Sequence, residues 1–162
     1  MKRIEPKGDQ ESVWDYPRPP AIEQVSAHIR IVNNNDTIFD GNRSFRILET
    51  SHPPTYYLPL SGFKEGVLLR TDRSSFSEFK GVAHYYHIRV GQKIIESAAW
   101  GYDNPNSKYQ SIKDHVSVYA SKVDECYVAD ELVEPQEGDF YGGWITSKIV
   151  GPFKGGAGTW GW

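Results

Sequence analysis

From Ala27 onward, apolar and polar positions alternate with the two-residue period of strands rather than the 3.6-residue period of helices. The first run is His28-Ile29-Arg30-Ile31-Val32, followed by Asn33-Asn34-Asn35-Asp36 and then Thr37-Ile38-Phe39. Asn tolerates positive φ and Asp closes turns through its side chain, so the pattern predicts a hairpin. Arg43 to Glu49 reads as a third strand and Thr55 to Leu60 as a short fourth. Val67 to Arg70 and Phe76 to Lys80 are further strand candidates.

The longest alternating unit is Ala83 to Trp100, broken by Gly91-Gln92, a pair suited to a two-residue turn with Gly first. With that loop, Val90 faces Lys93, Arg89 faces Ile94, His87 faces Glu96 and Tyr85 faces Ala98. One face then carries Tyr85, His87, Glu96 and Trp100, with Ala98 leaving space between the large rings. The other face, with Tyr86, Ile88, Val90, Ile95 and Ala99, is the more apolar and is expected to be the core side.

Ser107 to His115 is the one segment that predicts a helix, with Ser107 as cap and Pro105 just ahead. Val116 to Tyr119, Glu125 to Ala129 and Leu132-Val133 return to strand character. The expected fold is therefore mainly β: a compact two-sheet antiparallel domain with one short helix. Residues 1–25 read as a Pro-rich arm anchored by Trp14 and Tyr16, residues 26–146 as a single β domain, and residues 147–162 as a Gly-rich strap.

Composition supports the β reading. Gly and Pro together number 25 while 38% of residues are hydrophobic, which favours short strands and many turns. A chain of 162 residues buries roughly 70% of the surface its unfolded form exposes, enough for a real core. Aromatic residues make up 14%, five of them Trp, more than a small core needs, so some are expected to line a cavity. The formal charge of −3 gives no basic surplus for phosphates, so nucleic acid is not an expected partner. No run approaches the ~18 apolar residues of a membrane span. Cys126 is the single cysteine and reads as a buried, inert thiol that allows no internal disulfide; the expected compartment is the cytoplasm.

The segment from Arg46 to Tyr57 ends a strand with titratable and hydroxyl groups, including Glu49 and His52, then stiffens at Pro53-Pro54. Either X-Pro bond there is a candidate for cis, and a rigid, functionalised bend suits a site. Strand parity puts Arg46 and Glu49 on opposite faces unless a bulge intervenes. Lys80 precedes the long hairpin and comes beside Trp100 if the pairing extends that far, as an anion anchor or an acid–base group. The five His show no ligand spacing, so neither metal nor cofactor is expected.

These stretches carry a family resemblance. Trp14-Asp15-Tyr16-Pro17-Arg18-Pro19-Pro20, Leu48 to Pro54, Lys80-Gly81 with Ala83 and Tyr85, Glu96 with Ala98-Ala99-Trp100 and Tyr102, Phe140 to Ile145, and Gly151 to Gly156 together resemble an uncharacterised, mostly bacterial family, the domain of unknown function 427. The resemblance implies a compact β domain similar in outline to the two-sheet folds of methionine sulfoxide reductase and cereblon-ligand type, some of which hold ligands in aromatic cages. It implies no settled activity. Ser77 stands where many members carry a Cys, and no Asp-x-Asp array supports nucleotidyl transfer.

The expected function is binding of a small zwitterionic or carboxylate ligand in a pocket walled by Tyr56, Tyr57, Tyr85, Trp100 and Tyr102, with Arg46, Glu49 and Lys80 as polar anchors. The alternatives are a hydrolase or isomerase using Glu49 or His52 as base with Lys80, and an interaction scaffold that binds a partner or forms a homodimer through its arm and strap.

Overall fold

A computed structural model describes residues 1–138 and 140–162. In chain order the strands are β1 (Glu11–Ser12), β2 (Ala21–Val25), β3 (Ile29–Asn33), β4 (Asp36–Gly41) and β5 (Ser44–Leu48). They continue with β6 (Thr55–Pro59), β7 (Leu68–Ser77), β8 (Gly81–Val90), β9 (Lys93–Gly101) and β10 (His115–Val118). The last are β11 (Glu125–Val128), β12 (Glu131–Leu132), β13 (Glu134–Pro135), β14 (Trp144–Ile145) and β15 (Ile149–Val150).

A seven-stranded sheet, ordered β2-β5-β6-β10-β9-β8-β7, packs against a four-stranded sheet ordered β12-β11-β3-β4. Both are antiparallel throughout. The Asn34-Asn35 turn closes β3–β4 with both residues at positive φ, 51° and 61°, as the Asn-rich sequence predicts. Two-residue ladders complete the fold, one tying β1 of the arm in parallel to β15 of the strap, the other joining β13 and β14.

Alternation along the strands of the large sheet gives it two buried faces. One, with Tyr56, Leu58, Ile88, Val90, Ala99 and Val118, meets Ile29, Ile31 and Phe39 of the small sheet in the main core. The other, with Ile47, Tyr57, Tyr85, Trp100 and Tyr102, lies under the segment carrying Tyr109 and Ile112. That second face is where the aromatic surplus goes. Cys126 is buried in β11 opposite Ile31, and burial pushes its thiol up.

The sequence places the β8–β9 turn and its near register correctly: Val90 pairs with Lys93 and Arg89 with Ile94. The register then shifts between Tyr86 and Ile88, so Tyr85 pairs with Trp100, not Ala98. Ser97 sits in the bulge at φ 47°, and its N–H donates to His87 Nδ1 at 2.9 Å. The expected His87–Glu96 pair is lost. Ala98 is turned into the main core and opens no space beside the rings.

Two further expectations change. Ser107–Ile112 is a 3-10 segment interrupted at Tyr109, and His115 already belongs to β10. Tyr109 and Ile112, three residues apart, are its buried positions, which fits a three-residue repeat rather than an α-helix. Most of the stretches 67–70 and 76–80 merges into one edge strand, β7 (Leu68–Ser77), irregular between Arg70 and Ser74, while residues 78–80 form the turn into β8.

Candidate functional site

The site is assembled where β5 ends. Beyond Leu48 the chain turns sharply, with the His52 N–H donating to Glu49 O at 3.0 Å and Ser51 in the left-handed region at φ 73°. The arm holds this turn from one side, through Ser51 N–H to Val13 O at 3.0 Å and Thr50 Oγ1 to Tyr16 O at 2.5 Å. The strap holds it from the other, through Lys154 N–H to Ser51 O at 2.9 Å. The prolines that follow stay trans; among the described residues the cis bonds are Arg18–Pro19 and Gly151–Pro152.

His52 is buried, and its surroundings define its protonation. Gln136, also buried, is oriented by two main-chain partners: Oε1 accepts the Gly143 N–H at 2.9 Å and Nε2 donates to Lys154 O at 2.7 Å. The same Nε2 lies 3.3 Å from His52 Nδ1, which must therefore accept. The ring proton is left on Nε2, 3.6 Å from the Glu49 carboxylate. Burial, followed by the positive charges of Lys154, Arg18 and Lys80, lowers the imidazole from 6.5 to about 3, outweighing the nearby Glu49. His52 is thus neutral, its Nε2 near Glu49 Oε2 but beyond hydrogen-bond distance, while that oxygen accepts from Arg18 Nε at 3.3 Å.

Glu49 borders a cavity of about 260 Å³ on the second face of the large sheet, whose walls include Lys80, Tyr85, Trp100, Tyr102, Tyr119 and Tyr141. Lys80 is placed by the β7–β8 turn: its N–H lies 3.3 Å from Ser77 Oγ and its carbonyl accepts from Asn106 N–H at 3.0 Å. Its Nζ stands 5.8 Å from the Tyr102 ring centre. The Tyr85 hydroxyl meets Ser75 Oγ at 2.9 Å, and that of Tyr119 donates to Phe140 O at 3.0 Å. Burial, then Tyr57, pushes the Tyr102 phenol up, and burial, then Tyr85, does the same for Tyr119. These phenols remain protonated at neutral pH.

Five of the predicted site residues, Glu49, Lys80, Tyr85, Trp100 and Tyr102, therefore converge on one hollow. His52 stands behind Glu49, with its ring 4.6 Å from that of Tyr141. Tyr57 backs the wall, 6.4 Å from Trp100 and 6.3 Å from Tyr102, fully buried. Its hydroxyl is near enough to Tyr102 to act on its phenol but outside hydrogen-bonding geometry, and has no partner among the described residues.

Tyr56 and Arg46 do not join them. Tyr56 follows strand alternation to the opposite face, where its ring stacks on Trp144 at 5.1 Å. Arg46, its cross-strand neighbour, pairs with Glu11 at 2.7 Å and Glu23 at 2.8 Å. Burial alone would lower the guanidinium, but these two carboxylates raise it on balance. Arg46 anchors the arm rather than the hollow. A larger groove of about 500 Å³ lies along Gln24, Asn42, Arg43, Phe45 and His115 and shares no lining residue with the hollow.

Sequence reasoning passed over Arg18, Tyr119, Gln136 and Lys154, and gave Tyr141 no site role. Beside Tyr141, the Gly142-Gly143 pair carries a signal: each lies where a side chain cannot. A Cβ on Gly142, at φ 76°, would come within 2.5 Å of the Trp100 ring, and one on Gly143 within 2.6 Å of both Gln136 Oε1 and Pro53 O. Only glycine lets this segment close over the rings.

Among the described residues, no group of three or more His, Cys, Asp or Glu is placed to hold a metal ion, and no helix is long and apolar enough to cross a membrane. No curated protein matches the sequence. Residues 21–129, about two-thirds of the chain, match the family described as Domain of unknown function (DUF427), which takes in Glu49, His52, Lys80, Tyr85, Trp100 and Tyr102 but stops before Gln136, Tyr141 and Lys154. The chain belongs to that family.

Proposed function

We propose that this protein is a cytoplasmic domain that binds a small organic ligand, a carboxylate or zwitterion, in the hollow bounded by Glu49, Lys80, Tyr85, Trp100 and Tyr102. One observation carries the reading: residues scattered from the turn after β5 to the end of β9 line a single cavity of about 260 Å³ that combines aromatic walls with an acid and a base. The rings supply apolar area, and Lys80 and Glu49 supply orientation. The compartment rests on the lone buried Cys126, which can form no internal disulfide.

The test is thermal stability of the purified chain across a metabolite library, with Trp100→Phe and Lys80→Met run in parallel. A saturable rise in Tm that both variants weaken is expected. A library without hits, with both variants as stable as wild type, contradicts the reading.

A second reading, hydrolysis or isomerisation, draws on the Gln136–His52–Glu49 alignment. An imidazole held neutral with its N–H toward a carboxylate orients Glu49, which becomes the base, with Lys80 as electrostatic partner. Under this reading a bound library member is consumed by wild type, and Glu49→Gln binds it without turnover.

A further inference from the structure

We infer that the hollow selects organic anions with a flat apolar body over neutral or cationic molecules of the same shape. The inference rests on the binding reading above and narrows its ligand class.

It starts from where the cations sit. Four of the aromatic residues that line the hollow each carry a cation at their ring: Arg73 at 4.2 Å from the Tyr85 centre, Lys80 at 5.8 Å from Tyr102, Lys122 at 5.3 Å from Tyr119 and Lys154 at 5.5 Å from Tyr141. Among the described residues, none of these four pairs with an Asp or Glu side chain, although Lys122 Nζ donates to Glu96 O and Ser97 O at 3.3 Å and Lys154 Nζ to Trp162 O at 3.2 Å. The opposing acids at the hollow are few: Glu49 is engaged by Arg18, and Glu78 is exposed and therefore screened by solvent. Lys80, Lys122 and Lys154 are half-buried, so their charge acts through less water. The chain as a whole is acidic, at −3, which makes this a local field rather than a general one.

The imidazole of His52 lies within the same group of cations. A carboxylate 3.6 Å away would ordinarily favour the imidazolium, yet burial, then Lys154, Arg18 and Lys80, hold the ring neutral. A ligand cation would meet that same opposition, and would find ring faces already engaged by protein cations. An anion gains directly from Lys80, which lines the hollow, and at longer range from the cations at the other rings. A hydrogen-bond donor points the same way: the protonated phenol of Tyr102 lines the hollow. At the mouth, Phe76 and Phe140 leave 75% and 61% of their surface exposed, apolar area for the body of the ligand.

The experiment uses the full chain and three probes of one shape and different charge: benzoate, benzamide and protonated benzylamine. Binding is read from the indole N–H resonance of Trp100, with Trp144 and Trp160 as controls. Benzoate is expected to move Trp100 saturably and to bind roughly tenfold more tightly than benzamide, with benzylamine weakest and the benzoate preference shrinking as salt is raised. Lys80→Met is expected to bring the benzoate-to-benzamide ratio toward one. Benzamide or benzylamine binding at Trp100 as tightly as benzoate overturns the anion inference while leaving the hollow a binding site. No movement of Trp100 with any probe, or movement shared equally with Trp144 and Trp160, overturns both.

Discussion

At the residue scale, the buried groups without conventional partners are the informative ones. The Tyr57 hydroxyl has no hydrogen-bond partner among the described residues, so Tyr57→Phe is expected to leave stability within about 1 kcal/mol of wild type or raise it, measured by urea unfolding. Gly142→Ala is expected to cost roughly 2–4 kcal/mol, because it combines a left-handed φ with a Cβ inside contact distance of Trp100. His52 makes a pH prediction whose sign follows from its lowered value. Below about pH 6.5 the unfolded imidazole takes up a proton that the folded one refuses until about pH 3, so the unfolded state binds more protons in that window. Stability therefore rises with pH between about 3 and 6.5, on the order of a few kcal/mol in all. Unfolding at pH 4, 5, 6 and 7 checks it: His52→Gln should flatten that slope, whereas an unchanged slope would place the titration elsewhere.

At the element scale, Arg46 links β5 to the arm. Glu11 would be raised by burial, but Arg46 and the Tyr16 hydroxyl, which donates to it at 2.6 Å, lower it on balance. Arg46→Met leaves two carboxylates without their cation and is expected to destabilise by about 1–3 kcal/mol. Amide hydrogen exchange should quicken across residues 11–16 and 21–25 and stay unchanged in β8; uniform quickening would contradict a local clamp. Strand alternation was legible because burial on two faces enforces it: Tyr85 and Trp100 on one side, Ile88 and Ala99 on the other. The bulge at Ser97 was not legible, since nothing in Glu96-Ser97-Ala98 marks the positive φ that a His87 acceptor stabilises. Nor was the break at Tyr109, where packing under Pro20, whose carbonyl accepts the Tyr109 hydroxyl at 2.7 Å, overrides an apparent helix start.

At the scale of the whole molecule, the arm, the turn after β5 and the strap are interdependent. β1 pairs with β15, Trp14 Nε1 donates to Pro152 O at 2.8 Å, and both ends of the chain bond to the Glu49–His52 turn. Residues near the large hairpin could be read into one site from strand parity alone. Gln136 and Lys154 could not, because a Gly-rich tail has no period from which to infer what it packs on. Arg46 and Tyr56 were drawn in by sequence proximity to Glu49 and Tyr57, although alternation sends them to the far face. The central claim is that the rings beyond the main core enclose a ligand-accessible hollow. Its most direct test is 19F NMR of the chain labelled with 5-fluorotryptophan, titrated with a metabolite library. The account predicts that at least one compound moves the Trp100 resonance saturably while Trp144, buried on the opposite face, stays fixed. A Trp100 resonance unmoved by every compound would contradict it.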